Sequence, residues 1–131
     1  MMSKTIYFCA GWFTDKQNKA YQAAMTAIKQ NPTIDVENSY VPLQHQYKNI
    51  RVDEHPEYLH DKEWATATFK GDCLGVTTTD VTLAVYIPDE EWGKPINLMS
   101  WGFADNAIKM SELASFNFNQ PSFNFYEGAV Y

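Results

Sequence analysis

The chain has few cysteines, few basic residues and no long apolar run, and each shortage argues against a class of protein or a kind of partner. Cys9 and Cys73 are its only cysteines, which favours reduced thiols over a disulfide framework. Ten Lys and Arg against sixteen Asp and Glu give a formal net charge of −6, and the basic residues are scattered, whereas nucleic-acid binding needs clustered positive charge. The apolar runs are too short to span a membrane, and the N-terminal run breaks at Gly11, unlike a signal peptide. We therefore expect a cytoplasmic protein with neither a nucleic-acid nor a membrane partner.

The motifs of several common enzyme classes are also absent from the sequence. It contains no Gly-x-Gly-x-x-Gly fingerprint, no P-loop, no nucleophile elbow and no Ser-His-Asp pattern. His45, His55 and His60 are not spaced to form a metal site with either cysteine. We accordingly expect no metal and no cofactor.

The first third of the chain predicts a strand followed by a helix. With 131 residues, of which 45% are apolar, we expect one domain over residues 1–131. Thr5–Ala10 is a continuous apolar run, as in a buried parallel strand. Thr14 and Gln17 have the spacing of a capping box and predict a helix start, and Asn31-Pro32 ends the helix. Its apolar positions share one face: Ala20, Tyr21, Ala24, Ala27 and Ile28.

The middle of the chain continues the alternation of strands and helices. A short second strand is predicted at Thr33–Val36, followed by a loop from Asn38 to Pro56. A second helix, from about Glu57 to Phe69, is expected to stop at Gly71; Tyr58, Ala65, Thr68 and Phe69 are predicted to face the core. A third strand at Val81–Ile87 reads as too apolar for an exposed edge. The order β-α-β-α-β implies a parallel sheet with right-handed crossovers.

Two groups of residues are candidates for chemistry. Gly11-Trp12-Phe13 follows the first strand, at the sheet edge where α/β proteins bind ligands; these aromatic rings suit a flat ligand such as a nucleobase, or they simply pack on the edge of the sheet. Asp72 is predicted to follow a helix end, and Asp89-Glu90-Glu91 follow the third strand. Paired carboxylates fit sugar chemistry, with one as nucleophile and one as acid, and they also fit a solvated acidic loop, which is the commoner case.

Nearly the whole chain resembles the nucleoside 2-deoxyribosyltransferases, most closely the type that accepts both purine and pyrimidine deoxyribonucleosides. The segments that carry the resemblance are IYF at 6–8, AGWFT at 10–14, QNKAY at 17–21, NSYVPL at 38–43, RVDEHPEYLH at 51–60, GKPINLMSWG at 93–102 and FYEGAVY at 125–131. The resemblance implies a flavodoxin-like or Rossmann-like parallel sheet with flanking helices. It also implies deoxyribonucleosides and free nucleobases as substrates, a role in nucleotide salvage, and a hexamer whose sites are shared between subunits.

The implied reaction transfers a 2-deoxyribosyl group between nucleobases by double displacement, through a covalent glutamyl–sugar intermediate. Carried over by resemblance, Tyr7 holds the nucleophilic carboxylate, and Asp72 faces the base as proton donor or hydrogen-bond partner. Four further residues are implied in substrate binding, and the terminal carboxylate of Tyr131 is implied to close the polar network. Phe13 and Gln46 line the base pocket, while Asn97 and Met99 reach the sugar in a neighbouring subunit's site.

The sequence departs from the family pattern at the junction of Glu91 and Trp92. The family has a crossover helix and a fourth strand at this point, and the nucleophilic glutamate stands there in a Met-Glu-Leu-Gly setting. A second aspartate that contacts the base belongs to the same segment. The missing segment amounts to one helix plus one strand with their loops, roughly 20–28 residues by usual element lengths. The sequence thus predicts a fold abbreviated by about one helix and one strand. Two functions remain open: a deoxyribosyltransferase, or an inactive deletion form that binds nucleosides or only assembles.

Overall fold

The α/β class is confirmed by a computed structural model, which describes residues 3–87 and 106–120. Two strands and two α-helices occur in the described ranges: β1 (Ile6–Cys9), α1 (Asp15–Gln30), α2 (Lys62–Thr78) and β2 (Val81–Ala84). Four short 3₁₀ turns accompany them, at Pro42–His45, Tyr47–Asn49, Pro56–His60 and Met110–Glu112. No helix within these ranges is long and apolar enough to cross a membrane.

The chain divides into two compact units that alternate along the sequence. The sheet unit comprises Lys4–Cys9 and Asp35–Ala84, and the α1 unit comprises Met1–Ser3, Ala10–Ile34 and Val85–Tyr131. The expectation of one domain over residues 1–131 stays a prediction.

In the sheet unit, β1 and β2 pair in parallel, with Ile6 opposite Val81 and Cys9 opposite Ala84. Three consecutive side chains of β1, those of residues 6–8, are buried, which is the pattern of a strand covered on both faces. The start of the pair is fixed by Asp80, whose carboxylate accepts the Thr5 backbone N–H at 2.9 Å and the Thr5 hydroxyl at 3.1 Å. The prediction of a parallel sheet is confirmed for these two strands.

The third strand differs from its prediction in length and in exposure. It ends at Ala84 rather than Ile87. Thr82 and Ala84 are exposed, while Val81 and Leu83 are half-buried. This alternation follows from the sequence itself, because small or polar residues stand at every second position. The high apolar content of the run therefore led to the wrong prediction of full burial, although the alternation shows a strand with one exposed face.

The predicted second strand at Thr33–Val36 does not form, and that prediction was wrong. Instead, the chain meets β1 at separate points: Asp35 N–H donates to Lys4 O at 2.8 Å, and Tyr40 N–H donates to Ile6 O at 2.8 Å. Between them, the Ser39 hydroxyl accepts the Ile6 N–H at 2.9 Å and donates to Asp35 O at 2.6 Å. A side chain thus takes the place of a ladder partner, as Ser and Asp side chains often do.

The second helix was predicted to begin five residues too early and to end nine residues too early. Asp61 caps its N-terminus by accepting the Trp64 N–H at 2.8 Å, and α2 then runs through Gly71 to Thr78. Its less exposed positions recur at helical spacing, at Trp64, Ala67, Thr68, Gly71, Asp72, Gly75 and Thr79. Thr68 and Tyr58 are half-buried as predicted, but Ala65 and Phe69 are exposed, so the inward face passes through the glycines rather than through the large apolar side chains.

In the α1 unit, the capping box is confirmed. The Thr14 hydroxyl accepts the Gln17 N–H at 3.1 Å, and the Gln17 side chain accepts the N–H groups of Phe13 and Thr14 at 2.8 and 3.2 Å. The buried face consists of Tyr21, Ala24, Met25, Ala27 and Ile28, which matches the prediction except that Met25 replaces Ala20. The helix ends at Gln30, before Asn31-Pro32, as predicted.

Asn31 joins the end of α1 to residues 113–118. Its amide donates to the carbonyls of Leu113 and Phe116, both at 2.7 Å, and its oxygen accepts the Thr33 N–H at 2.9 Å and the Thr33 hydroxyl at 2.6 Å. The residue is 3% exposed. A buried amide with two donated and two accepted bonds is fully satisfied, so Asn31 fixes the path of the later segment in this unit.

Candidate active site

The sheet unit brings together the two residues implied as catalytic, Tyr7 and Asp72. Tyr7 lies in the middle of β1 and is 8% exposed, while Asp72 lies on the inward face of α2. Burial raises the pKa of the Tyr7 hydroxyl first, and the charge of Asp72 and a hydrogen bond to it raise that pKa further. Tyr7 therefore keeps its proton far above neutral pH and can act only as a neutral donor or acceptor there.

Asp72 was expected to follow a helix end, and that expectation was wrong because Gly71 does not stop the helix. The glycine serves close approach instead. A Cβ atom at position 71 would lie 3.0 Å from the Tyr40 hydroxyl, and one at position 75 would lie 2.6 Å from Cδ1 of Tyr40 and 2.7 Å from Cδ2 of Tyr7. Two glycines one helical turn apart let the backbone of α2 touch the tyrosine rings. Asp72 follows the first of them and is carried toward Tyr7.

Tyr40 and His45 belong to the same cluster, although neither was among the predicted site residues. The rings of Tyr7 and Tyr40 stack with centroids 5.7 Å apart, and those of Tyr40 and His45 stack at 4.2 Å with an interplanar angle of 8°. Burial and the charge of Asp72 also raise the pKa of Tyr40. One sequence signal could have predicted a bulky side chain against the helix: the four-residue spacing of Gly71 and Gly75, on either side of Asp72.

Gln46, predicted to line the base pocket, lies in the sheet unit directly after the 3₁₀ turn that carries His45. Its amide nitrogen donates to the Pro42 carbonyl at 3.1 Å, which holds the side chain over the turn. Lys48 and Asn49, just beyond it, have φ values of 52° and 58°. Non-glycine residues rarely adopt this left-handed region, and consecutive cases reverse the chain sharply after Gln46.

Phe13, the other predicted base-pocket residue, lies in the α1 unit between β1 and α1 in sequence. Its side chain is 56% exposed, and its ring stacks on that of Trp12 with centroids 5.3 Å apart. The indole N–H of Trp12 is buried and meets no acceptor within residues 3–87 and 106–120. This segment therefore presents one exposed aromatic ring, that of Phe13, beside a buried indole N–H.

The remaining candidate residues cannot be placed. Asn97, Met99 and Tyr131, together with the acidic turn and the junction of Glu91 and Trp92, lie outside the described residues. Among the residues that are described, no three His, Cys, Asp or Glu side chains form a group that could hold a metal ion. The described chemistry consists of a buried phenol beside a carboxylate.

The family model for nucleoside 2-deoxyribosyltransferases matches residues 6–107 of this chain. A nucleoside deoxyribosyltransferase from Lactobacillus leichmannii is 61% identical over an alignment of 157 positions that covers all of both chains. One from Lactobacillus johnsonii is 60% identical over 148 positions, covering 93% of this chain and 99% of its own. A third, from Limosilactobacillus fermentum, is 34% identical over 86 positions, covering 65% and 50% of the two chains.

The length of the first alignment bears on the predicted missing segment. It spans 157 positions and includes the whole of a chain with 131 residues, so about 26 positions have no residue of this chain. The place of that gap, predicted after Glu91, and the loss of the nucleophile with it stay predictions.

Proposed function

The chain belongs to the nucleoside 2-deoxyribosyltransferase family, and on that premise we propose how its described residues serve the family reaction. The protein is an enzyme that moves the 2-deoxyribosyl group of a deoxyribonucleoside from one nucleobase to another. In such a double displacement, a carboxylate attacks the anomeric carbon as the bond to the first base breaks. A second base then displaces the carboxylate.

The observation that carries the proposal is that the buried Tyr7 lies beside the carboxylate of Asp72. A phenol whose pKa is raised remains a hydrogen-bond donor throughout the physiological range. A donor of this kind can orient a carboxylate without protonating it. We assign this orienting role to Tyr7, toward the carboxylate that attacks the sugar.

We assign proton transfer at the base to Asp72. As the bond between sugar and base breaks, the departing base needs a proton on its nitrogen, and the incoming base must lose one. A carboxyl group can give the first proton and accept the second, so it returns to its starting state in each cycle. Its position on the rigid inward face of α2 suits a group that must meet two successive bases in one place.

Phe13 and Gln46 are proposed to contact the base. The exposed Phe13 ring offers a stacking surface for a flat heterocycle. Gln46 has both donor and acceptor atoms and can accept different bases by rotating its amide.

The residues beyond the described ranges complete the proposal. Asn97 and Met99 are proposed to reach the sugar of a neighbouring subunit's site, within a hexamer, and the carboxylate of Tyr131 to close the polar network. We further propose that the protein is cytoplasmic and acts in nucleotide salvage. The Met-Glu-Leu-Gly setting of the family nucleophile is absent from the sequence. Trapping with a 2-fluoro deoxynucleoside, followed by mass spectrometry of peptides, identifies any carboxylate of this chain that becomes glycosylated.

Base exchange between deoxyinosine and adenine tests the proposed function. We expect exchange by the wild-type chain, and a loss of about 100-fold or more in Asp72→Asn, because general acid–base catalysis contributes 10²–10⁴-fold. Glu63→Gln is the matched control, since it removes one carboxylate from the exposed first turn of the same helix, and its rate should equal that of the wild type.

Two results would count against the enzyme. Nucleoside binding without exchange would favour the inactive form that binds nucleosides, and neither binding nor exchange would favour a protein that only assembles. Equal rates for Asp72→Asn and wild type would remove Asp72 from the mechanism while leaving the activity intact.

A further inference from the structure

Tyr40 has no role in the proposed reaction, yet its backbone is fixed to β1 on both sides. Its N–H donates to Ile6 O at 2.8 Å, and its carbonyl accepts the Phe8 N–H at 2.9 Å. These two bonds form an isolated parallel bridge opposite Tyr7. The Cα atom of Tyr40 is therefore held beside that of Tyr7, and the directions of the two side chains are not independent.

The ring of Tyr40 fills the space between β1 and α2. It lies against Gly75, where an added Cβ atom would come within 2.6 Å of it, and its hydroxyl reaches Gly71, one turn earlier. The ring of Tyr7 contacts the same glycine, at 2.7 Å from the added Cβ position. Real Cβ contacts are longer than this, so both rings rest on bare backbone of α2. The thickness of the Tyr40 ring therefore sets how near α2 approaches β1.

The other contacts of Tyr40 keep its ring in one orientation. It stacks on Tyr7 at 5.7 Å and on His45 at 4.2 Å. Such stacked pairs add stability beyond the burial of their area. Asp72 acts electrostatically on the hydroxyls of both tyrosines. Tyr40 thus contacts the Tyr7 ring and the backbone that carries Asp72.

We infer that Tyr40 is a positioning residue: its ring, stacked on Tyr7 and His45 and seated on Gly71 and Gly75, sets the distance between the Tyr7 hydroxyl and Asp72. The inference rests on the proposed function for its catalytic meaning, but the placement itself can be tested without substrate. A displacement of about 1 Å can cost on the order of 100-fold in rate.

The test compares Tyr40→Leu with Tyr40→Phe in the full chain. NMR of tyrosine labelled at Cζ, assigned with Tyr7→Phe, gives the chemical shift of Tyr7 at neutral pH, which responds to the neighbouring Asp72 carboxylate. In the wild type, Asp72→Asn should change this chemical shift, because it removes the carboxylate charge beside the hydroxyl. In the Tyr40→Leu background we expect Asp72→Asn to have a much smaller effect on it. Tyr40→Phe keeps the ring and should keep the coupling.

Tyr58→Leu is the matched control, since Tyr58 is half-buried in the same unit but outside the cluster. It should leave the coupling between Asp72 and Tyr7 unchanged. If Tyr40→Leu does not fold, Gly75→Ala serves instead: its Cβ atom must displace both rings while the alanine itself favours the helix. Equal effects of Asp72→Asn with and without the Tyr40 ring, or with and without Gly75, would overturn the inference.

A second measurement separates this inference from the proposed function. Affinity for deoxyinosine, by calorimetry, should fall about tenfold or more in Tyr40→Leu and less than threefold in Tyr40→Phe, a difference consistent with misplaced rather than missing groups. If the wild type binds no nucleoside but its coupling is lost in Tyr40→Leu, the positioning role stands and the proposed function fails. If Tyr40→Leu binds as tightly as the wild type, the positioning role is overturned and the function stands.

Discussion

The two units each contain a buried polar centre, and they hold it in opposite ways. In the α1 unit, Asn31 makes four hydrogen bonds to Thr33, Leu113 and Phe116, all at 2.6–2.9 Å. In the sheet unit, Tyr7 is buried beside a carboxylate that raises its pKa, and stacked rings and bare helix backbone hold it in place. The first arrangement is complete and uncharged, as in structural networks. The second contains a tyrosine whose pKa is raised by burial and by a neighbouring carboxylate, and functional sites commonly contain such perturbed groups.

Removing Asn31 should show the largest difference between the two centres. Asn31→Ala leaves the carbonyls of Leu113 and Phe116 and the Thr33 N–H without this partner, and each buried unsatisfied group costs about 1–3 kcal/mol. We expect the free energy of unfolding to fall by about 3 kcal/mol, measured by urea denaturation. The Cζ chemical shift of Tyr7 in the folded protein should not change.

Asn18→Ala is the control for this change, because Asn18 is exposed on the same helix. Its effect should stay within about 0.5 kcal/mol. A loss below about 1 kcal/mol in Asn31→Ala would mean that residues 113–118 are held by other contacts.

The helix start in the α1 unit should give an intermediate effect. Thr14→Ala removes the hydroxyl that accepts the Gln17 N–H, and loss of an N-cap residue costs about 1 kcal/mol. Thr14→Ser keeps the hydroxyl and should lose only a few tenths of that. Equal losses in the two variants, again by urea denaturation, would show that the methyl group of Thr14, rather than its cap, is what stabilises the helix.

Asp80 should give the smallest effect, and one that depends on pH. Hydrogen bonds from Thr5 lower the pKa of its carboxyl group, so the folded state holds that proton less tightly than the unfolded state. Its stabilisation is therefore present above the unfolded value, about 3.9, and is lost as the pH falls through the lower folded value. Wild type should exceed Asp80→Asn in stability at pH 7 by more than at pH 3. A gap that widens in acid would contradict this assignment.

Local signals in the sequence were sufficient to predict where α1 begins and ends. Thr14 and Gln17 predicted the helix start, and Asn31-Pro32 predicted its end, because capping and chain termination depend on neighbours within a few residues. The parallel direction of β1 and β2 also followed from the order of elements. The hydrogen bonds from Asn31 to Leu113 and Phe116 were not predictable, since they join residues more than eighty positions apart.

The sheet unit exposed the limits of the same signals. Gly71 predicted the end of the helix because glycine is a poor helix former, but in the structure it makes room for the Tyr40 hydroxyl. A second strand was predicted at Thr33–Val36. In the structure, hydrogen bonds of the Ser39 hydroxyl hold this part of the chain beside β1 instead. Tyr7 and Asp72 were predicted to be catalytic by resemblance alone. Their proximity depends on α2 crossing β1 at its glycines, a tertiary fact.

The glycine pair of α2 also has a consequence for how the sequence can vary. Each glycine costs about 1 kcal/mol of helix stability relative to alanine, so the simplest route to a more stable helix is Gly→Ala at positions 71 and 75. At position 75 the added methyl group would collide with both tyrosine rings. Selection for stability and selection for the site therefore act against each other at one residue. We expect the second half of α2 to keep the lowest helix propensity of the helices in the described chain. The two glycines that lower this propensity are also what lets Asp72 come close to Tyr7.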